Sequence, residues 1–295
     1  MKVIRASVMG YCMGVRQAVN TAYKELKERK YERVYTLGPL IHNPYVLEDL
    51  RSRGAEILDE KNLPENLQGA VVIIRAHGIT PDLEAKLSNR GALLIDATCS
   101  RVKANQKKAE SLTKSGYTIF LAGDKNHAEI IGIQGYAPSC FVVSDVISAL
   151  ESAEKLFKQS PDSKTALLGQ TTISSEEYGL IGDAVRRYFP CLEVTDSICK
   201  ATKDRQNALK ELCKNVDAVI IVGGRESANT QRLLAIARSE SKLAWLAENE
   251  NDIPQDVYSY STIGLCAGAS TPDDLIDKTE AYIAGYISRF IQNYD

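Results

Sequence analysis

The sequence predicts an α/β fold built as three similar lobes. Two observations carry this. Short apolar runs alternate with amphipathic stretches along all 295 residues, which is how mainly parallel sheets covered by helices read. The same order of landmarks also comes three times: a cysteine, a helical stretch, then strands that end in small or polar residues.

Taken in chain order, residues 3–8 read as a strand leading to Gly10-Tyr11-Cys12-Met13-Gly14 and a helical stretch over 15–29. A strand ends in Leu37-Gly38, followed by Ile41-His42-Asn43, and a buried strand over 71–74 ends in Arg75-Ala76-His77-Gly78. The second unit has a buried strand over 93–95, then Asp96-Ala97-Thr98-Cys99 and a helix to about 115. Its strand over 118–121 ends in Ala122-Gly123 before Asn126-His127-Ala128-Glu129, and its strand over 166–168 ends in Gly169-Gln170-Thr171-Thr172. The third unit follows a strand over 192–194 and starts at Asp196-Ser197-Ile198-Cys199, with a helix to about 214. A strand over 218–222 ends in Gly223-Gly224 before Ser227-Ala228-Asn229, and one over 262–265 leads to Ala267-Gly268-Ala269-Ser270.

The offsets agree. From each cysteine the first polar group lies 30, 28 and 30 residues on (His42, His127, Asn229) and the second 65, 72 and 71 residues on (His77, Thr171, Ser270). We therefore expect lobes at 12–98, 99–198 and 199–287 in a pseudo-threefold arrangement, with strand 1–11 completing the core. Ligands of parallel α/β sheets gather at the carboxyl ends of strands, so the three lobes are expected to point those ends at one cavity.

Composition excludes several function classes. With 36 basic and 38 acidic side chains and a net charge of −2, nucleic acid and anionic membrane are not expected partners. The N-terminus lacks the pattern of a secretory signal, and no apolar run approaches the ~20 residues of a membrane span, so a cytoplasmic protein is expected. Seven cysteines, an odd number without any Cys-x-x-Cys, argue against a disulfide framework, a zinc ribbon or a thioredoxin motif. Cysteines that bind a metal here must converge from far apart in sequence.

Cys12, Cys99 and Cys199 each stand at a predicted helix start, where the positive dipole end favours a thiolate or an anionic cluster. Three thiolates suit one face of a 4Fe–4S cubane and leave one iron open; a zinc site is the alternative. Cys140, Cys191, Cys213 and Cys266 read as small buried hydrophobes. The three histidines, His42, His77 and His127, all fall at strand-end slots. With Thr171, Ser227, Asn229 and Ser270 they form a ring of donors able to hold a diphosphate without a Walker loop. Glu129 is the carboxylate nearest a slot, and in an anionic pocket its pKa is expected to rise, which suits a proton donor; a first-turn helix carboxylate is the plainer reading.

Jointly, Gly-Tyr-Cys-Met-Gly, Ile-His-Asn, Ala-His-Gly, Asp-Ala-Thr-Cys, His-Ala-Glu, Gln-Thr-Thr, Ile-Cys-Lys-Ala-Thr, Ser-Ala-Asn and Ala-Gly-Ala-Ser, in this order over residues 3–287, resemble the LytB/IspH family of 4-hydroxy-3-methylbut-2-enyl diphosphate reductases. The resemblance implies three α/β lobes around a central iron–sulfur cluster, a 4Fe–4S group held by Cys12, Cys99 and Cys199 with one open iron. It implies diphosphate contacts from His42, His77, His127, Ser227, Asn229 and Ser270. Glu129 and Thr171 would hold the terminal hydroxyl and relay protons, with His127 near that path. It further implies an allylic diphosphate substrate, isopentenyl and dimethylallyl diphosphate as products, and a ferredoxin- or flavodoxin-type electron donor. Two positions depart from the family pattern: Ala228 stands where a second serine is usual, and Met13 where alanine is usual. Competing readings are a cluster-dependent reductase or dehydratase of another small anionic substrate, and a non-catalytic iron–sulfur or zinc protein. A sensor would add a DNA-reading motif or basic patch, and a carrier would not need the polar ring.

Overall fold

The computed structural model describes residues 1–28 and 30–292, with side chains described as far as 285. Among the described residues, three four-stranded sheets form, every strand pair in them parallel. The chain starts with β1 (Lys2–Arg5). β2 (Arg33–Leu37), β3 (Ala55–Leu58), β4 (Ala70–Ile74) and β5 (Leu93–Asp96) pair in the order β3-β2-β4-β5. β6 (Thr118–Ala122), β7 (Phe141–Val143), β8 (Thr165–Gly169) and β9 (Glu193–Val194) pair as β7-β6-β8-β9. The last set, β10 (Ala218–Val222), β11 (Leu243–Ala247) and β12 (Thr262–Ala267), pairs as β11-β10-β12-β1. The first strand of the chain thus takes the place in its sheet that β5 and β9 take in theirs.

The helices are α1 (Met13–Glu28), α2 (Pro44–Ser52), α3 (Pro81–Asn89), α4 (Ser100–Lys114), α5 (Ala128–Gln134), α6 (Val146–Gln159), α7 (Ser175–Arg186), α8 (Lys200–Cys213), α9 (Ala228–Ser239) and α10 (Asp273–Gln292). The expected first helix runs to Glu28, and its expected last position, 29, lies outside the described residues. No described helix is long and apolar enough to cross a membrane. The chain divides into two compact units. One comprises Met1–Arg16, Ile41–Ser52 and the chain from Lys200 on; the other comprises Gln17–Leu40 and Arg53–Cys199. The first unit carries the sheet of β1, β10, β11 and β12, and the second carries the other two.

Burial explains which strands were legible. β4, β8 and β10, with sequences AVVII, TALLG and AVIIV, are buried at every residue. Strands covered by helices on both faces read as continuous apolar runs. Edge strands do not obey this. Residues 93–95, expected to be buried, lie on the edge strand β5, and Leu93 is 49% exposed. β1 ends at Arg5 rather than reaching position 8: the Ala6 N–H makes a last bond to the Leu265 carbonyl at 2.8 Å, after which Ser7 and Val8 leave the sheet into solvent. At the opposite edges, β3 (AEIL) is broken by Glu56, whereas β7 (FVV) and β11 (LAWLA) are apolar throughout although only partly buried.

In each sheet the order places the first and third strands of the set side by side, with the chain leaving in opposite directions from them. That junction is the switch point at which parallel α/β sheets open a crevice. The loops after β2 and β4, β6 and β8, and β10 and β12 are therefore where functional side chains are expected.

Candidate active site

Each sheet prepares its switch point in the same way. A glycine with positive φ follows the first strand directly: Gly38 at 62°, Gly123 at 154° and Gly223 at 151°. Side-chain-bearing residues rarely adopt this backbone. Five residues beyond the strand, His127 caps α5 and Ser227 caps α9. The His127 Nδ1 accepts from the Glu129 N–H at 3.2 Å, and the Ser227 Oγ accepts from the Thr230 N–H at 3.4 Å. In the first set the corresponding cap is Asn43, whose Oδ1 accepts from the Val46 N–H at 3.3 Å, so His42 precedes the cap by one residue. Helix capping therefore corrects the repeat arithmetic. The counterpart of His127 is Ser227, and Asn229 matches Glu129, each two residues past its cap.

The third strands serve the cysteines. The Cys99 N–H donates to the Ala76 carbonyl at 3.0 Å, that of Cys199 to Thr171 at 3.0 Å, and that of Cys12 to Ala269 at 3.2 Å. Every acceptor lies two residues past the end of its strand: β4 at Ile74, β8 at Gly169, β12 at Ala267. Three cysteines distant in sequence thus share one backbone setting, immediately before α1, α4 and α8. All three are half-buried.

In the unit that contains Gln17–Leu40 and Arg53–Cys199, four of the expected residues form one group. Glu129 is 1% exposed, yet both carboxylate oxygens are occupied. Oε1 accepts from the Thr171 N–H at 2.7 Å, and Oε2 accepts from the Thr171 hydroxyl at 2.8 Å. Because the His127 Nδ1 accepts a backbone N–H, the neutral ring carries its proton on Nε2. The His77 ring stands edge-on to that of His127, with centroids 5.0 Å apart. The Cys199 N–H on the Thr171 carbonyl attaches a cysteine loop to the same residue that binds Glu129.

In the other unit the Ser270 hydroxyl donates to the His42 carbonyl at 3.2 Å. A Cβ on Gly224 would stand 2.2 Å from that carbonyl, so only glycine lets the two loops approach. Ser227 and Asn229 are buried, and among the described residues the Asn229 Nδ2 has no hydrogen-bond partner. Buried amides are nearly always paired, so this atom points to a ligand. The Cys12 Sγ accepts from the Val15 N–H at 3.5 Å, in the first turn of α1.

The structure adds Gln170, which the sequence reading did not single out. It is fully buried; its Oε1 accepts from the Asp124 N–H at 2.9 Å and its Nε2 donates to the Thr172 hydroxyl at 2.8 Å. It ties the loop after β6 to the loop after β8, and thereby holds Glu129 against Thr171. Its sequence signal is a long amide directly after an apolar strand.

The other cysteines divide. Cys213 and Cys266 are buried, and burial pushes the Cys266 thiol up to about 12. Burial pushes half-buried Cys140 up to about 11. Cys191, expected inside, is exposed, because it lies in the turn closed by the Leu192 N–H on the Phe189 carbonyl. Met13 is 74% exposed, so its added bulk over alanine projects into solvent instead of displacing a neighbour.

Known proteins share this organisation. Residues 3–284 match the family model described as LytB protein. The 4-hydroxy-3-methylbut-2-enyl diphosphate reductase of Treponema denticola is 45% identical over 287 residues, covering 95% of this chain and 98% of its own. That of Caldanaerobacter subterraneus subsp. tengcongensis is 37% identical, covering 94% of this chain and 95% of its own. The solved E-1-hydroxy-2-methyl-but-2-enyl-4-diphosphate reductase of Plasmodium falciparum superposes with a TM-score of 0.86 at 30% identity, covering 94% of this chain and 86% of that one. A second solved (E)-4-hydroxy-3-methyl-but-2-enyl diphosphate reductase gives a TM-score of 0.68 at 34% identity, covering 96% of this chain and 99% of that one. With a family model spanning almost every residue and relatives above 30% identity matching end to end, the chain belongs to the LytB family.

Proposed function

We propose that this protein is a reductase of 4-hydroxy-3-methylbut-2-enyl diphosphate. The allylic C–O bond breaks and the hydroxyl leaves as water with one proton. The carbon skeleton takes two electrons and a second proton at one of two carbons, giving isopentenyl or dimethylallyl diphosphate. The observation that carries the reading is the buried Glu129 with both oxygens held by Thr171, beside His127 and joined to the loop of Cys199.

We assign Cys12, Cys99 and Cys199 as ligands of a 4Fe–4S cluster with one iron free of protein ligands. The residues fit that group: three thiols in one repeated backbone setting, each at a helix N-terminus where an anionic cluster is favoured. When bound, the cluster supplies the electrons one at a time and a Lewis-acid site for the departing oxygen. The chain's own residues do the rest. The Thr171 hydroxyl donates to Glu129 and keeps lone pairs that accept the substrate's hydroxyl. With Glu129 protonated the chain of bonds runs the other way, and a proton reaches the leaving oxygen. Neutral His127 offers Nε2–H. His42, His77, Ser227, Asn229 and Ser270 bind the diphosphate with His127, aided by helix N-termini. We read the lobes as 12–98, 99–198 and 199–287 around this centre, each supplying one cysteine. A ferredoxin- or flavodoxin-type protein is the proposed electron donor. Three cysteines assigned to a cluster and four others outside any disulfide fit a reducing compartment, and we place the enzyme in the cytoplasm.

The test is anaerobic iron and acid-labile sulfide analysis with EPR, with and without the diphosphate. About four irons and four sulfides per chain, and a spectrum altered by the diphosphate, support the assignment. A full cluster whose spectrum ignores the diphosphate points to another small anionic substrate. Zinc in place of iron overturns the redox reading.

A further inference from the structure

We infer that Asn105 and Arg205 are positioning residues that latch two of the three cysteine loops, each from the helix that follows the preceding cysteine. The inference rests on Cys12, Cys99 and Cys199 being the cluster ligands. Asn105 lies six residues after Cys99, on α4, and is buried. Its Nδ2 donates to the Ser197 carbonyl at 3.2 Å and to the Gly169 carbonyl at 3.3 Å, and Ser197 stands two residues before Cys199. Arg205 lies six residues after Cys199, on α8, and is 2% exposed. Its Nη2 donates to the Gly10 carbonyl at 2.7 Å, two residues before Cys12, while Nη1 holds the Ala201 carbonyl at 3.1 Å.

The same helix position therefore reaches the same point of the next cysteine loop, in two different sheets. The acceptors are backbone carbonyls, so the contact fixes the loop itself and not a side chain on it. The third equivalent position, six residues after Cys12, is Ala18, which has no donor. The loop before Cys99 is held locally instead. The Asp96 Oδ1 accepts from the Thr98 N–H at 2.9 Å, and Lys103 pairs with the same carboxylate. Removing a buried donor leaves its carbonyl unsatisfied, and the Arg205 contact is charge-assisted. A ligand loop released in this way samples more conformations, and its thiolate leaves iron more often.

The experiment uses the full-length, anaerobically loaded protein. It measures the rate of iron loss to a ferrous chelator and the amide hydrogen exchange of residues 8–13 and 195–199. We expect Arg205→Met to accelerate iron loss about tenfold, a change of about 1.4 kcal/mol, and to speed exchange at 8–13 but not at 195–199. Asn105→Ala should show the converse exchange pattern. Arg205→Lys, which keeps the charge and one donor, should recover most of both readouts, and it carries the test with Asn105→Ala if Arg205→Met does not fold. Arg90→Met serves as control. Arg90 Nη1 makes a like pair with the Leu63 and Pro64 carbonyls at 2.5 and 2.8 Å, outside any cysteine loop, and its loss should leave both readouts unchanged. Unchanged exchange and iron loss in the two latch variants, or equal acceleration in the control, overturns the latch. Wild-type protein that binds no iron overturns the ligand assignment instead, and the exchange pattern alone then decides the latch.

Discussion

A carboxylate buried as deeply as Glu129 needs partners for both oxygens, and Thr171 supplies them from its amide and its hydroxyl. Glu129→Gln keeps the shape. Its amide oxygen still accepts from the Thr171 N–H, while its NH₂ must donate to the hydroxyl that formerly donated to it. The proton donor is gone, so turnover should fall about 10²–10⁴-fold, the usual worth of general acid catalysis, with iron content and the EPR spectrum retained. Near-normal turnover with a full cluster would remove Glu129 from the proton path. Ala228 makes the opposite case. It is half-buried in the first turn of α9, between two diphosphate-binding candidates, Ser227 and Asn229. Ala228→Ser adds a hydroxyl where the family pattern has one. A hydrogen bond to a charged group contributes about 1.5 kcal/mol or more, so KM for the diphosphate should drop about tenfold while kcat stays put. A KM that does not move would mean that position 228 does not face the diphosphate.

Between residue and sheet, glycine decides how closely the loops approach. Gly224→Ala sets a methyl group against the His42 carbonyl, a backbone atom that cannot turn aside. The cost should be about 1–3 kcal/mol, as for overpacking generally, and KM should rise because the displaced segment carries His42. Gly179, inside α7, has nothing within 4 Å of its would-be Cβ. Gly179→Ala should instead stabilise by about 0.5–1 kcal/mol through helix propensity. Thermal unfolding of both variants checks the pair, and two shifts of the same sign would contradict the contact argument. The contrast also shows what sequence alone carries. β4, β8 and β10 were readable because burial on both faces makes them continuous apolar runs, and the repeat then located the cysteines, histidines and Glu129. The outer strands were not, each for its own reason: Glu56 interrupts the apolar run of β3, β7 is only three residues long, and β11, although apolar throughout, stands at an edge without the repeat's landmarks beside it. The alignment of Asn229 with His127 failed because helix caps, invisible to spacing counts, set the register by one or two residues. Asn105, Arg205 and Gln170 read as ordinary polar residues until the carbonyls they hold are known.

Across the whole chain the seven cysteines sort into classes that chemical modification can separate, since the thiolate is the species that reacts. Cys191 is exposed and should be alkylated first. Cys140, pushed up to about 11 by burial, should react slowly, and buried Cys213, raised by the same cause, more slowly still. Cys266 is fully enclosed and its thiol is pushed up to about 12 by burial, so no reagent reaches it without unfolding. Cys12, Cys99 and Cys199 are half-buried by the same measure as Cys140. Exposure alone would therefore make all four comparably slow, whereas iron ligation makes the three unreactive until the metal is withdrawn. Anaerobic alkylation followed by peptide mass mapping, before and after iron chelation, should show Cys12, Cys99 and Cys199 gaining label together while the other four keep their rates. Labelling of those three at one rate in both states would refute their role as cluster ligands. A gain at two of them alone would leave a cluster with a different third ligand.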